Sequence, residues 1–257
     1  MKATSVRNCC LAYNELNPDA RLRLFCFPYA GGGSVTFRTW SNHLPQQVDV
    51  CPVELPGRGT RLGEPLFTQL PPLVEAMGKE LLPHLDKPFA LFGHSMGALI
   101  SFELACHLRK EYDLNPVHLF VSAHRAPQVP DPGPPIYSLP ERDFLERLYK
   151  LNGIPSEVLE EPELMQLMLP ILRADMEVSD RYTYSSRPPL NCPISVFGGV
   201  QDHSVSRHQL QAWCSQTHAS FTERMLPGGH FFLHMSQPLL LGVLAHQLHQ
   251  TMRNILT

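Results

Sequence analysis

The sequence has no basic run, no long apolar run and no Cys-x-x-Cys pair, and each absence removes a class of protein. With 21 Lys+Arg against 24 Asp+Glu, the net charge is −3. No cation cluster is available to neutralise nucleic-acid phosphates. No stretch approaches the roughly 18 apolar residues of a membrane span. Lys2 and Arg7 are followed by Cys9, Leu11, Asn14 and Glu15 rather than by an unbroken apolar segment, so no export signal is expected. The seven cysteines are an odd number, and Cys26, Cys51 and Cys192 fall in strand-like runs where a thiol behaves as a small apolar side chain. Internal repeats and low-complexity segments are also missing. These absences predict a soluble, cytoplasmic protein with neither nucleic acid nor membrane as partner; a monomer is expected.

What is present is enough apolar chain for a sizeable core: 257 residues, 43% hydrophobic and 18% charged. That size fits one domain, 1–257, carrying an insertion at about 127–187. Short apolar runs at 22–28, 48–55, 88–93, 117–122, 193–198 and 220–226 read as strands. Residues 71–85, 96–111, 209–214 and 237–255 read as helices, and Ser34 supplies a helix start for 34–43. Strands apolar on both faces, alternating with helices, predict an α/β fold with a mostly parallel sheet covered on both sides.

Between 126 and 187 the pattern changes. Residues 126–135 contain five prolines, and 139–184 is helical in character without a strand. Phe144, Leu145, Leu148 and Leu151, then Leu164, Leu167, Met168, Ile171 and Leu172, recur at helical spacing. They form either plain core or the inner face of a lid that holds an acyl chain. Ten acidic and five basic side chains from Glu141 to Arg181 predict an acidic outer face.

One stretch organises the rest: Gly93-His94-Ser95-Met96-Gly97, between an apolar strand and a helix. Where a buried strand must turn into a helix within two residues, glycines leave room for the bend and the serine is pushed onto its tip. A serine is a weak nucleophile until a base takes its proton. Asp202 and His230 supply the partners, each just past a predicted strand, and in a parallel sheet strand ends share one edge. His230 is then the base for Ser95, and Asp202 fixes the imidazole tautomer. Asp175 and Asp180 are rival carboxylates on lid-like sequence, whereas His94, His203 and His234 neighbour the site without a needed role. Backbone N–H groups of Met96 and of Ala30 are placed to receive an oxyanion. The glycines at 31–33 are either an ordinary turn or part of that anion site. Arg58 and Arg61, in a loop after the second strand, either meet an anion or simply solvate the loop.

Taken together, 27–32 (Phe-Pro-Tyr-Ala-Gly-Gly), 55–59 (Leu-Pro-Gly-Arg-Gly) with Arg61 and Glu64-Pro65, the serine turn, 172–175 (Leu-Arg-Ala-Asp) and 226–231 (Leu-Pro-Gly-Gly-His-Phe) resemble the type II thioesterases. These are discrete α/β-hydrolases that serve nonribosomal peptide and polyketide synthases, related to the medium-chain thioesterase of fatty-acid synthesis. The likeness covers about 20–250. It implies the triad Ser95, Asp202 and His230 with Ala30 and Met96 lining the oxyanion hole. It also implies hydrolysis of acyl thioesters from the phosphopantetheine arm of acyl or peptidyl carrier domains, clearing misprimed or stalled groups without a cofactor or metal. A medium-chain acyl thioesterase and a general carboxylesterase are the alternatives. The chain opens on Met1 and holds no Gly-x-Asp-Ser-Leu carrier motif, so a free-standing protein is expected. Because such carriers are acidic, docking is expected beside Arg58, Arg61 or Arg125.

Overall fold

Successive positions of the first strand bury into opposite faces, and this alternation fixes the architecture. In β1 (Leu22–Phe27), Phe25 and Phe27 enter one apolar cluster while Leu22, Leu24 and Cys26 enter another. β3 (Phe89–His94) repeats the division, with Phe89 and Leu91 on one side and Ala90 and Phe92 on the other. The sheet is therefore buried on both faces, as parallel sheets are. The computed structural model describes residues 10–12, 16–131, 133–150 and 161–255.

With β2 (Val48–Pro52), β4 (His118–Ser122), β5 (Ile194–Gly199) and β6 (Phe221–Leu226), the strands form one six-stranded sheet in the order β2-β1-β3-β4-β5-β6. All five ladders are parallel. The register places Phe27 beside Gly93, His94 beside Ser122, and Gly199 beside Leu226. The exits of β1, β3, β5 and β6 thereby reach one edge.

Helices α1 (Leu70–Leu81) and α2 (Met96–Tyr112) cover one face, and α7 (Gln237–Asn254) covers the other. Pro83 closes α1 earlier than the periodicity predicts, because a proline has no N–H to continue the ladder. The helix expected over 34–43 is instead two single 3-10 turns, Ser34–Phe37 and Trp40–Asn42. Phe37 and Trp40 stand three residues apart, the repeat of such turns, and both pack edge-on against Phe92. Cys10 and Leu11 are buried, and Leu11 bridges Val53.

Helices α3 (Glu141–Lys150) and α4 (Pro162–Asp180) lie between β4 and β5. They share a small core of their own, in which Phe144, Leu148 and Leu172 join Ile136 and Arg173 lies 4.5 Å over the Phe144 ring. Leu164 and Leu167 are exposed, and Leu151 lies outside the described residues. Beyond β5 follow the short helices α5 (Arg207–Gln211), closed by a capping box of Ser206 and Gln209, and α6 (Phe232–Met235).

Candidate active site

Ser95 sits between β3 and α2 with φ 53° and ψ −120°. This is a conformation that a residue with a β-carbon adopts only at a cost, about 1–3 kcal/mol. The surroundings enforce it. The Ser95 N–H donates to the Ser122 carbonyl at 2.8 Å. A β-carbon on Gly93 would overlap the Gly97 carbonyl, and one on Gly97 would overlap that of Phe27. Any side chain at either position would push strand and helix apart.

Around this turn the predicted partners assemble. Ser95 Oγ and His230 Nε2 are 3.0 Å apart, and His230 Nδ1 lies 2.9 Å from Asp202 Oδ2. The other carboxylate oxygen of Asp202 accepts the N–H groups of Ser204 at 2.7 Å and Val205 at 3.2 Å. Burial alone would raise the Asp202 carboxyl, but the imidazole and these two amides outweigh it and hold the group below its ordinary value. Gln201 ties the two loops together: its N–H donates to the Gly228 carbonyl at 2.9 Å, and its side chain accepts the Gly228 N–H.

Ala30, Ser95, Met96 and His230 all line one cavity of about 380 Å³, with Asp202 behind the histidine. Met96 opens α2, where no preceding turn offers its N–H an acceptor. The other walls come from Arg125, Asp131, Ile136, Arg147, Met176, Asp180, His203 and Gln209. Among the described residues, none of the apolar positions picked out by helical spacing in 139–184 borders this cavity. Leu172 and Met168 instead cover Gly31.

The neighbouring histidines have separate tasks. His94 is wholly buried, its Nδ1 2.8 Å from Ser122 Oγ and its ring 5.6 Å from that of His230. Burial, then the nearby His230 and His234, push its pKa well below the ordinary value. It therefore adds no positive charge beside the His230 ring. His234 Nε2 meets the Tyr29 hydroxyl at 3.1 Å, and His203 lines the cavity.

Neither rival carboxylate is hydrogen-bonded to His230. Asp180 accepts the N–H groups of Ile136 and Tyr137 at 2.7 and 3.1 Å. Asp175 pairs with Arg58. The arginines expected to face a docking carrier are internal: Arg58 is 6% and Arg61 5% exposed. Arg61 is bound by Glu64 at 2.6 Å and Glu80 at 2.9 Å. Arg125 is paired with Asp131 at 2.8 Å. For Arg58 and Arg61 the expectation fails because Asp175 and Glu80 come from other segments, of which an arginine in a glycine loop gives no local sign, while Glu64, three residues on, completes the hold on Arg61. Asp175, a rival carboxylate for the histidine by sequence, instead holds Arg58 and the Gly31 N–H. The Leu-Arg-Ala-Asp sequence does not reveal its partner.

Comparison with known proteins identifies the family. A family model described as a thioesterase domain matches residues 22–248. The gramicidin S biosynthesis protein GrsT of Aneurinibacillus migulanus is 46% identical over 234 residues, covering 91% of this chain and 91% of that protein. Among solved structures, RedJ, a thioesterase from the prodiginine biosynthetic pathway of Streptomyces coelicolor, superposes with a TM-score of 0.84 at 41% identity, covering 88% of this chain and 90% of the other. BorB, the type II thioesterase from the borrelidin biosynthetic cluster, gives 0.82 at 32% identity, covering 90% and 93%. A parallel sheet that delivers a serine, a histidine and an aspartate to one edge, matched along nearly its whole length by these proteins, belongs to the thioesterase family.

Proposed function

We propose that this protein hydrolyses acyl thioesters held on the phosphopantetheine arm of synthase carrier domains, removing misprimed or stalled acyl groups. The observation that carries the reading is the chain of contacts from Ser95 through His230 to Asp202, 3.0 and 2.9 Å, opening on a cavity. Ser95 Oγ attacks the thioester carbonyl while His230 Nε2 takes its proton, with Asp202 steadying the imidazolium. The oxyanion is received by the N–H groups of Ala30 and Met96. The tetrahedral intermediate collapses, the C–S bond breaks, and His230 returns the proton to the departing thiol. Water then attacks the acyl-enzyme with His230 again as base, releasing the acid and free Ser95. Sulfur donates weakly into the carbonyl and leaves readily, so the serine and two amides suffice without a cofactor.

Support for a carrier-borne substrate comes from GrsT, RedJ and BorB, whose names place them in biosynthetic pathways or clusters. The insertion of α3 and α4 acts as a lid over the cavity of a single domain. The monomeric chain works in the cytoplasm, a reading consistent with the free cysteines among the described residues, Cys10, Cys26, Cys51, Cys106, Cys192 and Cys214.

The test is a hydrolysis profile across acyl lengths, comparing carrier-bound acyl groups, acyl-coenzyme A and p-nitrophenyl esters, alongside fluorophosphonate labelling. We expect Ser95 to be labelled and carrier thioesters to be preferred. Preference for oxygen esters would make the protein a carboxylesterase, and preference for medium-chain fatty acyl groups would move it to fatty-acid release. An unlabelled Ser95 in folded protein would end the hydrolytic reading.

A further inference from the structure

The loop that carries Ala30 is gripped from the side of the helical insertion. Asp175, on α4, is 3% exposed, and its Oδ2 accepts the Gly31 N–H at 2.7 Å. The same carboxylate receives both arms of the Arg58 guanidinium, Nη1 to Oδ2 at 2.6 Å and Nη2 to Oδ1 at 2.7 Å. Arg58 Nη1 also donates to the Gly32 carbonyl at 3.1 Å. Leu172, one turn before Asp175, covers Gly31 so closely that an added β-carbon would collide with it. On the far side of the loop, Glu54 accepts the Ser34 hydroxyl at 2.7 Å and the Ser34 N–H at 3.2 Å. Neither Arg58 nor Asp175 borders the cavity.

Three consecutive glycines have no side chains with which to fix their own position, and Gly31 adopts φ 75°. An oxyanion donor works only when its N–H is already aimed at the place where charge develops. A two-armed guanidinium–carboxylate contact has the directionality that this loop lacks. Net stabilisation is a poor explanation for the pair, because withdrawing both charges from water offsets most of their attraction.

We infer that Arg58 and Asp175 are positioning residues for the oxyanion hole: through Gly31 and Gly32 they set the direction of the Ala30 N–H, and they tie that direction to the insertion helix α4. This rests on the assignment of the Ala30 N–H as an oxyanion donor. Asp175 is 144 residues from Gly31 and 117 from Arg58 in sequence, so the donor is held correctly only while α4 is docked on the loop.

The experiment compares the full chain with Asp175→Asn, Asp175→Glu and Arg58→Lys. Glu103→Gln serves as control, because Glu103 holds Arg187 at 2.8 and 3.0 Å and the Tyr182 hydroxyl at 2.7 Å and makes no hydrogen bond to this loop, Arg58 or Asp175. Steady-state hydrolysis of an acyl-pantetheine is measured below each variant's melting temperature. Binding is measured for a trifluoromethyl ketone analogue, which forms an oxyanion on Ser95, and for the matching methyl ketone, which does not. Losing an oxyanion donor altogether costs about 10²–10³ in kcat, so misaiming one should cost about 10–100-fold. We expect that fall in kcat with KM little changed, and a parallel loss of trifluoromethyl ketone affinity with the methyl ketone unaffected. Carrier-bound and small thioesters should suffer equally, and Glu103→Gln should keep its kcat. The inference is overturned if kcat stays within about twofold of the parent, if only KM moves, or if Glu103→Gln falls alike. It is also overturned if none of the three variants folds, since the pair would then be a stabilising element. Ser95→Ala separates the two readings: activity surviving there removes the hydrolase assignment, whereas activity lost there but kept in Asp175→Asn removes only the positioning role.

Discussion

Gly97, in the first turn of α2, lies against the exit of β1. A β-carbon there would overlap the Phe27 carbonyl oxygen and stand 2.6 Å from that of Pro28. The segments bearing the two proposed oxyanion donors, Ala30 and Met96, are thus in direct backbone contact. Gly97→Ala has to separate them, and no side chain can rotate away to absorb the clash. The expected outcome is a loss of several kcal/mol of stability, read as a large drop in melting temperature or failure to fold. A folded Gly97→Ala protein with the parent's melting temperature would contradict this packing.

The strained serine makes a second expectation. At φ 53°, Ser95→Ala keeps the penalty of a β-carbon in the left-handed region, whereas Ser95→Gly releases it. Both variants lose hydrolysis and fluorophosphonate labelling. In chemical denaturation, Ser95→Gly should be the more stable of the two by about 1 kcal/mol. The reverse order would mean that the turn is not under strain.

Asp202→Asn tests the third member of the relay. An amide can still meet His230 Nδ1, but it no longer selects the tautomer that leaves Nε2 free to accept the serine proton. We expect a fall in kcat of about 10³–10⁴-fold in a protein that remains folded, together with slow fluorophosphonate labelling. A loss below about tenfold would assign the orienting role to another group.

Acid should destabilise the fold well before the carboxylates titrate. His118 is buried between Thr251, 3.0 Å from Nδ1, and Ser195, 2.8 Å from Nε2. Burial lowers its pKa from 6.5 to about 4. The folded state therefore binds its proton less readily than the unfolded chain. The stability this contributes is complete above pH 6.5 and drains away as the pH falls toward 4. At pH 5 the loss from this residue is about 2 kcal/mol. His124, pushed to about 3 chiefly by burial and then by Arg125, acts in the same direction. Replacing His118 with Gln should flatten the fall in melting temperature between pH 7 and 5. An unchanged slope would remove His118 as its source.

Much of this was legible in the chain because it was local. A strand shows itself through its own apolar run, and the turn at Ser95 through glycines two residues away on either side. Asp202 and His230 could be located without knowing the fold in detail, since both follow strands whose ends must share an edge. What stayed hidden was contact between distant segments. Arg58 looked like a solvated loop residue because its partner is Asp175, 117 positions on. Asp175 in turn looked like a competitor for the histidine. The apolar stripes of α3 and α4 were visible, but not which of their residues would turn inward on each other and which would remain exposed.

The insertion leaves the sheet after β4 and returns to it at β5, two strands locked in register from Leu119 opposite Ile194 to Ser122 opposite Phe197. That makes it a natural unit of exchange: the matching stretch of a relative could be spliced in without re-laying the strands beneath. Such a chimera would have to import an acid matching Asp175, or change Arg58 along with it. Whatever is exchanged there stays leashed, through one buried ion pair, to the glycine loop that follows β1.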